Sequence, residues 1–255
     1  MKKQLLILLL SFFICTEWAI AQQRTLFVAA KSGLSIREKP STTAKVLDKI
    51  PYGTKVTLLN TEEESVSVIT EGLQGYWEKV SYNNKTGYIV NSYLLPLPPP
   101  KTGTVKGMED YFKQVYTPFG TKLVVKNGQR ENIEEGGYEL HKQLYKNGAE
   151  WHQFMGYEYG SETWFLPDLT MQQGFILLRL IPEFKDIFSD KDEFPIADRT
   201  FKKGEREYSI KVDKEQYGDY PWITRISIEY EDGAIYTFEM YQIDNQLVIT
   251  YGSGV

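Results

Sequence analysis

Hydrophobic residues follow two different rhythms along this chain. Between residues 25 and 95 they come in short β-rich runs divided by turn residues. These runs are Leu26-Phe27-Val28, Leu34-Ser35-Ile36, Val46-Leu47, Val56-Thr57-Leu58-Leu59, Trp77-Glu78-Lys79-Val80 and Thr86-Gly87-Tyr88-Ile89-Val90. Short runs punctuated in this way are strand signals, and their number in so short a stretch predicts a small closed barrel with no exposed sheet edge.

After residue 105 the periods are longer and mixed. Met108, Tyr111, Phe112 and Val115 recur at helical spacing ahead of Pro118, which predicts a short amphipathic helix. Thr170-x-x-Gln173 reads as a capping box. The stripe Met171, Phe175, Leu178, Ile181, Phe184 and Phe188 then predicts a longer helix, kinked at Pro182, packed on a sheet. Elsewhere apolar and polar positions alternate, as in strands with one buried face. Asn147-Gly148 predicts a two-residue hairpin turn that pairs Leu144 with Trp151, Leu140 with Met155 and Tyr138 with Tyr157, all on the buried face. A three-residue loop, Glu231-Asp232-Gly233, pairs Ile228 with Tyr236 and Ile226 with Phe238. A turn at Asp244-Asn245 pairs Met240 with Ile249 and Phe238 with Tyr251 on that same face.

The proline run Leu95-Pro96-Leu97-Pro98-Pro99-Pro100 divides the two rhythms, and prolines without amide donors favour an extended, semi-rigid spacer. Charge divides at the same place. Residues 25–95 carry eight Lys/Arg against seven Asp/Glu, a net of +1, whereas residues 105–255 carry 17 against 26, a net of −9. The prediction is therefore a β-rich two-domain protein. A small β-barrel (25–95) and a proline-rich linker (96–104) precede an α+β domain (105–255) with an antiparallel meander and one main helix.

With 255 residues, 42% hydrophobic and 25% charged, the chain is globular in composition, which excludes disordered, collagenous and coiled-coil classes. A net charge of −5 argues against a nucleic-acid partner, which requires a concentrated basic surface. The one long apolar run, Leu5–Cys15, follows Lys2 and Lys3 and precedes Ala19-Ile20-Ala21. Together they form a signal peptide (1–21) for export to the periplasm or beyond, with no integral membrane segment after cleavage. Cys15, the only cysteine, leaves with it, so the mature chain has no disulfide, thiolate nucleophile or cysteine metal site.

Residues 25–95 resemble a known family. Gly33-Leu34-Ser35-Ile36-Arg37, Pro40-Ser41, Val46-Leu47 and Pro51-Tyr52-Gly53-Thr54-Lys55-Val56 begin an ordered series. Trp77-Glu78-Lys79-Val80, Gly87-Tyr88-Ile89 and Ser92-Tyr93-Leu94 complete it. The series is similar to the bacterial SH3-like (SH3b) domain. It departs from the pattern at residues 60–75, a long connection carrying Glu62-Glu63-Glu64. The resemblance implies an SH3-like barrel and binding rather than catalysis, with peptidoglycan, its peptide stems or a cell-envelope protein as partner. Arg37, Tyr76, Trp77, Tyr88 and Tyr93 are its candidate ligand contacts, since aromatic faces stack on sugars or peptides and arginine pairs with carboxylates. The NlpC-type cysteine endopeptidases that often accompany such domains are excluded by the missing cysteine.

For residues 105–255 no family is recognised. The two histidines, His141 and His152, lie in the first hairpin. In the two-residue register they fall on one face as diagonal neighbours, with Glu139, Glu150 and Glu158 beside them. His141, His152 and Glu139 are a candidate zinc or general-base set, although the plainer reading is a polar solvent face, because no metal-motif spacing is present. Asp186, Asp190, Asp192 and Glu193 lack the glycine and alternating ligands of a calcium loop. No nucleophile-elbow, zincin, phosphate-loop or dinucleotide fingerprint occurs, and no cofactor is expected. The reading is a non-enzymatic, exported cell-envelope binding protein. The alternatives are a wall hydrolase and an inhibitor of one.

Overall fold

The structure is a computed structural model that describes residues 24–60, 64–129, 136–167, 169–189, 192–218 and 220–255. The expected signal peptide, Glu62, Glu63 and Asp190 lie outside the described residues.

Alternation of buried and exposed positions produces eight strands in the first unit. They are β1 (Thr25–Val28), β2 (Leu34–Arg37), β3 (Val46–Ile50), β4 (Lys55–Thr57), β5 (Ser67–Thr70), β6 (Leu73–Tyr82), β7 (Lys85–Val90) and β8 (Leu94–Leu95). All pairings are antiparallel, in a sheet β4-β1-β8 and a sheet β3-β2-β7-β6-β5. Their inward residues, among them Val28, Ile36, Ile50, Val80 and Ile89, form one small core. The bridge Leu58–Val80 links the two sheets. The described strands thus form two sheets joined at that bridge rather than the one continuous closed ladder predicted.

The second unit is dominated by one antiparallel sheet of nine strands, in the order β13-β14-β15-β16-β17-β12-β11-β10-β9. Its first meander is β9 (Pro118–Asn127), β10 (Tyr138–Tyr145), β11 (Glu150–Met155) and β12 (Tyr159–Pro167). Its second is β13 (Arg199–Lys203), β14 (Arg206–Tyr217), β15 (Tyr220–Glu231), β16 (Ile235–Ile243) and β17 (Gln246–Gly254). The last strand joins the meanders by pairing with β12, so Trp164 faces Ile249 and Leu166 faces Leu247.

Helix α1 (Met108–Val115) forms where the sequence predicts it and buries Met108, Tyr111 and Phe112. Helix α2 (Met171–Leu178) begins at the expected capping box. Thr170 Oγ1 accepts from Gln173 N, and Gln173 Oε1 accepts from Thr170 N. The predicted long helix ends there, at Leu178. Ile181 is extended, Pro182 opens a separate 3₁₀ turn, and the stripe continues through Phe184 to Phe188, whose N donates to the Phe184 carbonyl in one further turn. The stripe packs as predicted, since its buried members Phe175, Phe184 and Phe188 join Phe238 and Ile249 in the larger core.

That core also takes Ala29, Leu73 and Leu95 from the first unit. The proline run is fastened rather than free. Pro99 and Pro100 are buried, Tyr111 Oη donates to the Pro98 carbonyl at 2.8 Å, and Tyr52 Oη donates to the Pro100 carbonyl at 2.7 Å. Burial of its phenol pushes the Tyr52 pKa up to about 12. Across the same contact, Arg179 pairs with Glu71 at 2.7 Å, and Phe194 N donates to the Glu71 carbonyl.

The hairpin registers correct two expectations. At the first turn Tyr145 N donates to the Ala149 carbonyl, leaving Lys146-Asn147-Gly148 as a three-residue loop with Gly148 at φ +86°. Gln143 then faces Trp151, Leu140 faces Phe154 and Glu139 faces Met155. This is one residue away from the predicted register, so Leu140 and Leu144 move to the face opposite Trp151. At the second turn the loop is Asp232-Gly233-Ala234, and Ile228 faces Phe238 while Ile226 faces Met240. That slip is two residues, which preserves the face. The third turn matches its prediction, with Met240 opposite Ile249 and Phe238 opposite Tyr251.

Candidate functional site

Strand β6 sends successive side chains to opposite faces, so its adjacent aromatics serve different surfaces. Trp77 is buried, and with Tyr88 it lines a groove of about 360 Å3 on the first unit. Trp77 N donates to the Val66 carbonyl, which seats the connection ahead of β5 along the groove wall. Lys79 and Tyr88 are direct cross-strand partners, and the Lys79 ammonium lies 5.6 Å from the Tyr88 ring centroid. Arg24 and Lys79 bring positive charge to the groove, and Glu64 and Glu78 bring negative charge. An aromatic floor flanked by charges of both signs can take an extended peptide.

The other candidates go elsewhere. Arg37 faces Tyr88 in the ladder, but its guanidinium donates to the Ala44 carbonyl at 2.6 Å, bracing a loop. Tyr93 sits at the contact with α2, beside Glu71 and Arg179, and burial pushes its phenol up to about 12. Tyr76 is 40% exposed and opens onto a second cleft of about 550 Å3 between the two units. Sequence reasoning thus grouped five residues that the fold distributes over four places.

The register correction separates the histidine pair. His141 faces Gln153, while His152 faces Lys142. The two imidazoles therefore lie on opposite faces of the sheet, not on one face as expected. His141 Nε2 is 2.5 Å from Glu139 Oε1, and Glu139 also pairs with Lys126 at 2.8 Å. Lys126 first, then His141, holds the Glu139 carboxyl below its usual range. His152 Nε2 is 3.0 Å from Glu150 Oε2, and its ring packs 5.0 Å from that of Phe165. Burial depresses its pKa more than Glu150 raises it. Among the described residues no group of three or more His, Cys, Asp or Glu could hold a metal ion. Nor do the described acids after α2 converge. Asp186 pairs with Arg206 at 3.5 Å, and Asp192 accepts from Ser189 N.

Two carboxylates that sequence reasoning passed over have defined roles. Glu162 on β12 accepts from Trp151 Nε1 at 3.1 Å, Tyr251 Oη at 2.9 Å and Gln153 Nε2 at 3.3 Å. Its partners stand on β11 and β17, and no local motif announces a site assembled by register. Glu183 Oε2 accepts from Met108 N at 2.9 Å and so caps α1, whose N-cap, Gly107, has no side chain to do it. A Cβ at position 107 would lie 2.7 Å from that oxygen, which explains the glycine. Burial raises the Glu183 pKa above the ordinary glutamate value.

No helix of the described residues is long and apolar enough to cross a membrane. No curated protein and no solved structure matches the chain. The ordered series of glycines, prolines and aromatics in the first unit does find its counterpart: residues 32–94 match the family model of the bacterial SH3 domain, so about a quarter of the chain is a bacterial SH3 domain, and the remainder is unrecognised.

Proposed function

We propose that this is an exported, non-enzymatic binding protein of the bacterial cell envelope. Its SH3 unit, taken as residues 25–95, engages peptidoglycan stem peptides or a protein partner through the groove of Trp77, Tyr88 and Lys79. The acidic domain of residues 105–255, joined through residues 96–104, engages a second partner. The observation that carries this reading is the bacterial SH3 domain at residues 32–94, a cell-wall or protein binding module. The aromatic, charge-flanked groove supports it. Export rests on the N-terminal apolar run with its basic start and Ala19-Ile20-Ala21.

Co-sedimentation with purified sacculi tests the proposal. The experiment uses the whole mature chain, because Ala29, Leu73 and Leu95 belong to the larger core and a dissected fragment would expose it. The chain is expected to pellet, and Tyr88→Ala to weaken retention about tenfold, the scale of one lost aromatic contact. Undiminished pelleting of Tyr88→Ala would remove the groove from the proposal. Muropeptides released into the supernatant would make the protein a hydrolase. Binding to a basic wall enzyme that weakens steeply with salt would favour an inhibitor acting through the −9 domain.

A further inference from the structure

The cleft between the two units has a lining unlike that of the SH3 groove. Its volume of about 550 Å3 falls within the roughly 300–1,000 Å3 range of small-ligand sites. Tyr76 of β6 stands on one wall and Trp222 of β15 on the other. Trp222 is 63% exposed, whereas Trp77, Trp151 and Trp164 are buried. Trp222 therefore offers an indole to solvent at the cleft, where a ligand could cover it.

The polar groups around these rings are mostly uncharged. Gln74, Gln172 and Asn245 line the cleft, and none has a side-chain partner among the described residues. Ser92 is 8% exposed, and its Oγ is enclosed behind the cleft wall with no hydrogen-bond partner among the described residues. A Cβ at position 75 would come within 2.0 Å of that oxygen, so Gly75 makes room for it. Arg24 and Asp244 are the lining's charged residues, one of each sign. The cleft therefore does not select an ionic ligand. Amides and hydroxyls both donate and accept, which matches ligand groups that also do both. Two exposed ring faces match a ligand with apolar C–H surfaces.

We propose that this cleft binds a neutral glycan. Sugar ring faces lie on Trp222 and Tyr76, while hydroxyl and acetamido groups meet Gln74, Gln172 and Asn245. The proposal rests on the envelope-binding reading for its biological setting and on the lining for its chemistry. It assigns glycan recognition to a surface that exists only where the SH3 unit meets the second domain.

The test is titration of the protein with a β-1,4-linked N-acetylglucosamine tetramer, which carries no peptide, followed by tryptophan fluorescence and calorimetry. The expected result is saturable binding with a fluorescence change. Trp222→Ala should remove that change and weaken affinity about tenfold or more. Gln172→Ala should weaken it less, and Tyr88→Ala should leave it unaltered. Trp222 is largely exposed, so its truncation leaves the fold intact, as circular dichroism would verify. No heat at millimolar tetramer, or equal affinity in Trp222→Ala, would overturn the proposal. So would Trp222→Ala abolishing capture of a protein partner without affecting the tetramer. Loss of sacculus binding in Tyr88→Ala reports on the groove alone, so the two readings fail separately.

Discussion

Hairpins β10–β11 and β16–β17 both turn on dipeptides that favour a tight connection, yet only the second turns as its sequence reads. Asp244-Asn245 closes a two-residue turn with Asp244 at φ +50°. Its register points Phe238, Met240, Leu247 and Ile249 inward, all apolar and buried, with Gln242 and Tyr251 half-buried on the same face. At the first hairpin the two-residue register would have turned Tyr145 outward and Leu144 inward. The three-residue loop instead buries Tyr145, Ala149 and Trp151 and leaves Leu144 44% exposed. Tyr145 then lies 5.6 Å from Tyr116 and 6.1 Å from Trp164, in a cluster that Phe112 of α1 completes. A tyrosine ring offers more apolar area than a leucine side chain, and this ring finds partners just past α1 and on β12. Local turn preference prevails where it agrees with burial and yields where it does not.

This comparison is most directly broken by truncating each side of the contested pair. Tyr145→Ala should cost about 3–5 kcal/mol, as for other large buried aromatics, whereas Leu144→Ala should stay within about 0.5 kcal/mol. Urea denaturation of the two variants measures it. Similar losses would reject the three-residue register.

The buried Tyr145 phenol sharpens the same contrast with pH. Burial pushes its pKa up to about 12 from an ordinary 10. The folded state holds this proton longer than the unfolded chain does. Its stabilising contribution is therefore complete below pH 10 and is lost as pH rises through about 12. Ultraviolet titration of tyrosinate should show a late-ionising phase that shrinks in Tyr145→Phe, and an unchanged phase would contradict the burial.

The turns themselves should respond differently to small changes. Gly148 has a left-handed backbone, and nothing lies within 4 Å of an added Cβ. Gly148→Ala should thus cost about 1–2 kcal/mol from backbone conformation alone, while Asp244→Gly should be close to neutral. Thermal denaturation distinguishes them, and a tolerated alanine at 148 would mean the loop adopts another turn.

The smallest effect concerns His152, on the face that the register correction assigned to it. Burial depresses its pKa below the ordinary 6.5. The unfolded chain therefore takes up a proton that the folded chain resists, and stability present above pH 6.5 falls as pH drops below it. His152→Gln should flatten the melting temperature between pH 7 and 5 by a degree or so (about a few tenths of a kcal/mol). An unchanged slope would argue that the imidazole is solvated.

Much of this architecture can be read from residues near one another in the chain. The capping box at Thr170 and Gln173, the α1 stripe, the Asp244-Asn245 turn and the spaced glycines, prolines and aromatics of the SH3 unit are of this kind. Each depends on hydrogen bonds or packing between neighbours, which local spacing encodes. The end of α2 and the first hairpin's register depend instead on what distant segments bring. Pro182 stops the helix locally, but where the stripe then lies depends on Phe238 and Tyr251.

The functional surfaces divide along the same line. Trp77 and Tyr88 could be named from sequence because the family pattern marks them, although their sharing of a groove with each other and not with Tyr76 follows from strand alternation. Trp222, Gln172 and Ser92 had no such signal. They lie far apart in the chain and meet only because β15, α2 and the turn Asn91–Tyr93 are packed around one cleft. The two histidines show the converse, since neighbours in a predicted register became residents of opposite faces through a slip of one position. The sequence alone determined the strand-rich class, the SH3 unit, the charge division and the apolar stripes of the helices, because burial and local geometry impose periods of 2 and 3.6. Only the tertiary structure decided which faces those residues share, because register is settled by the summed burial of many side chains drawn from the whole chain.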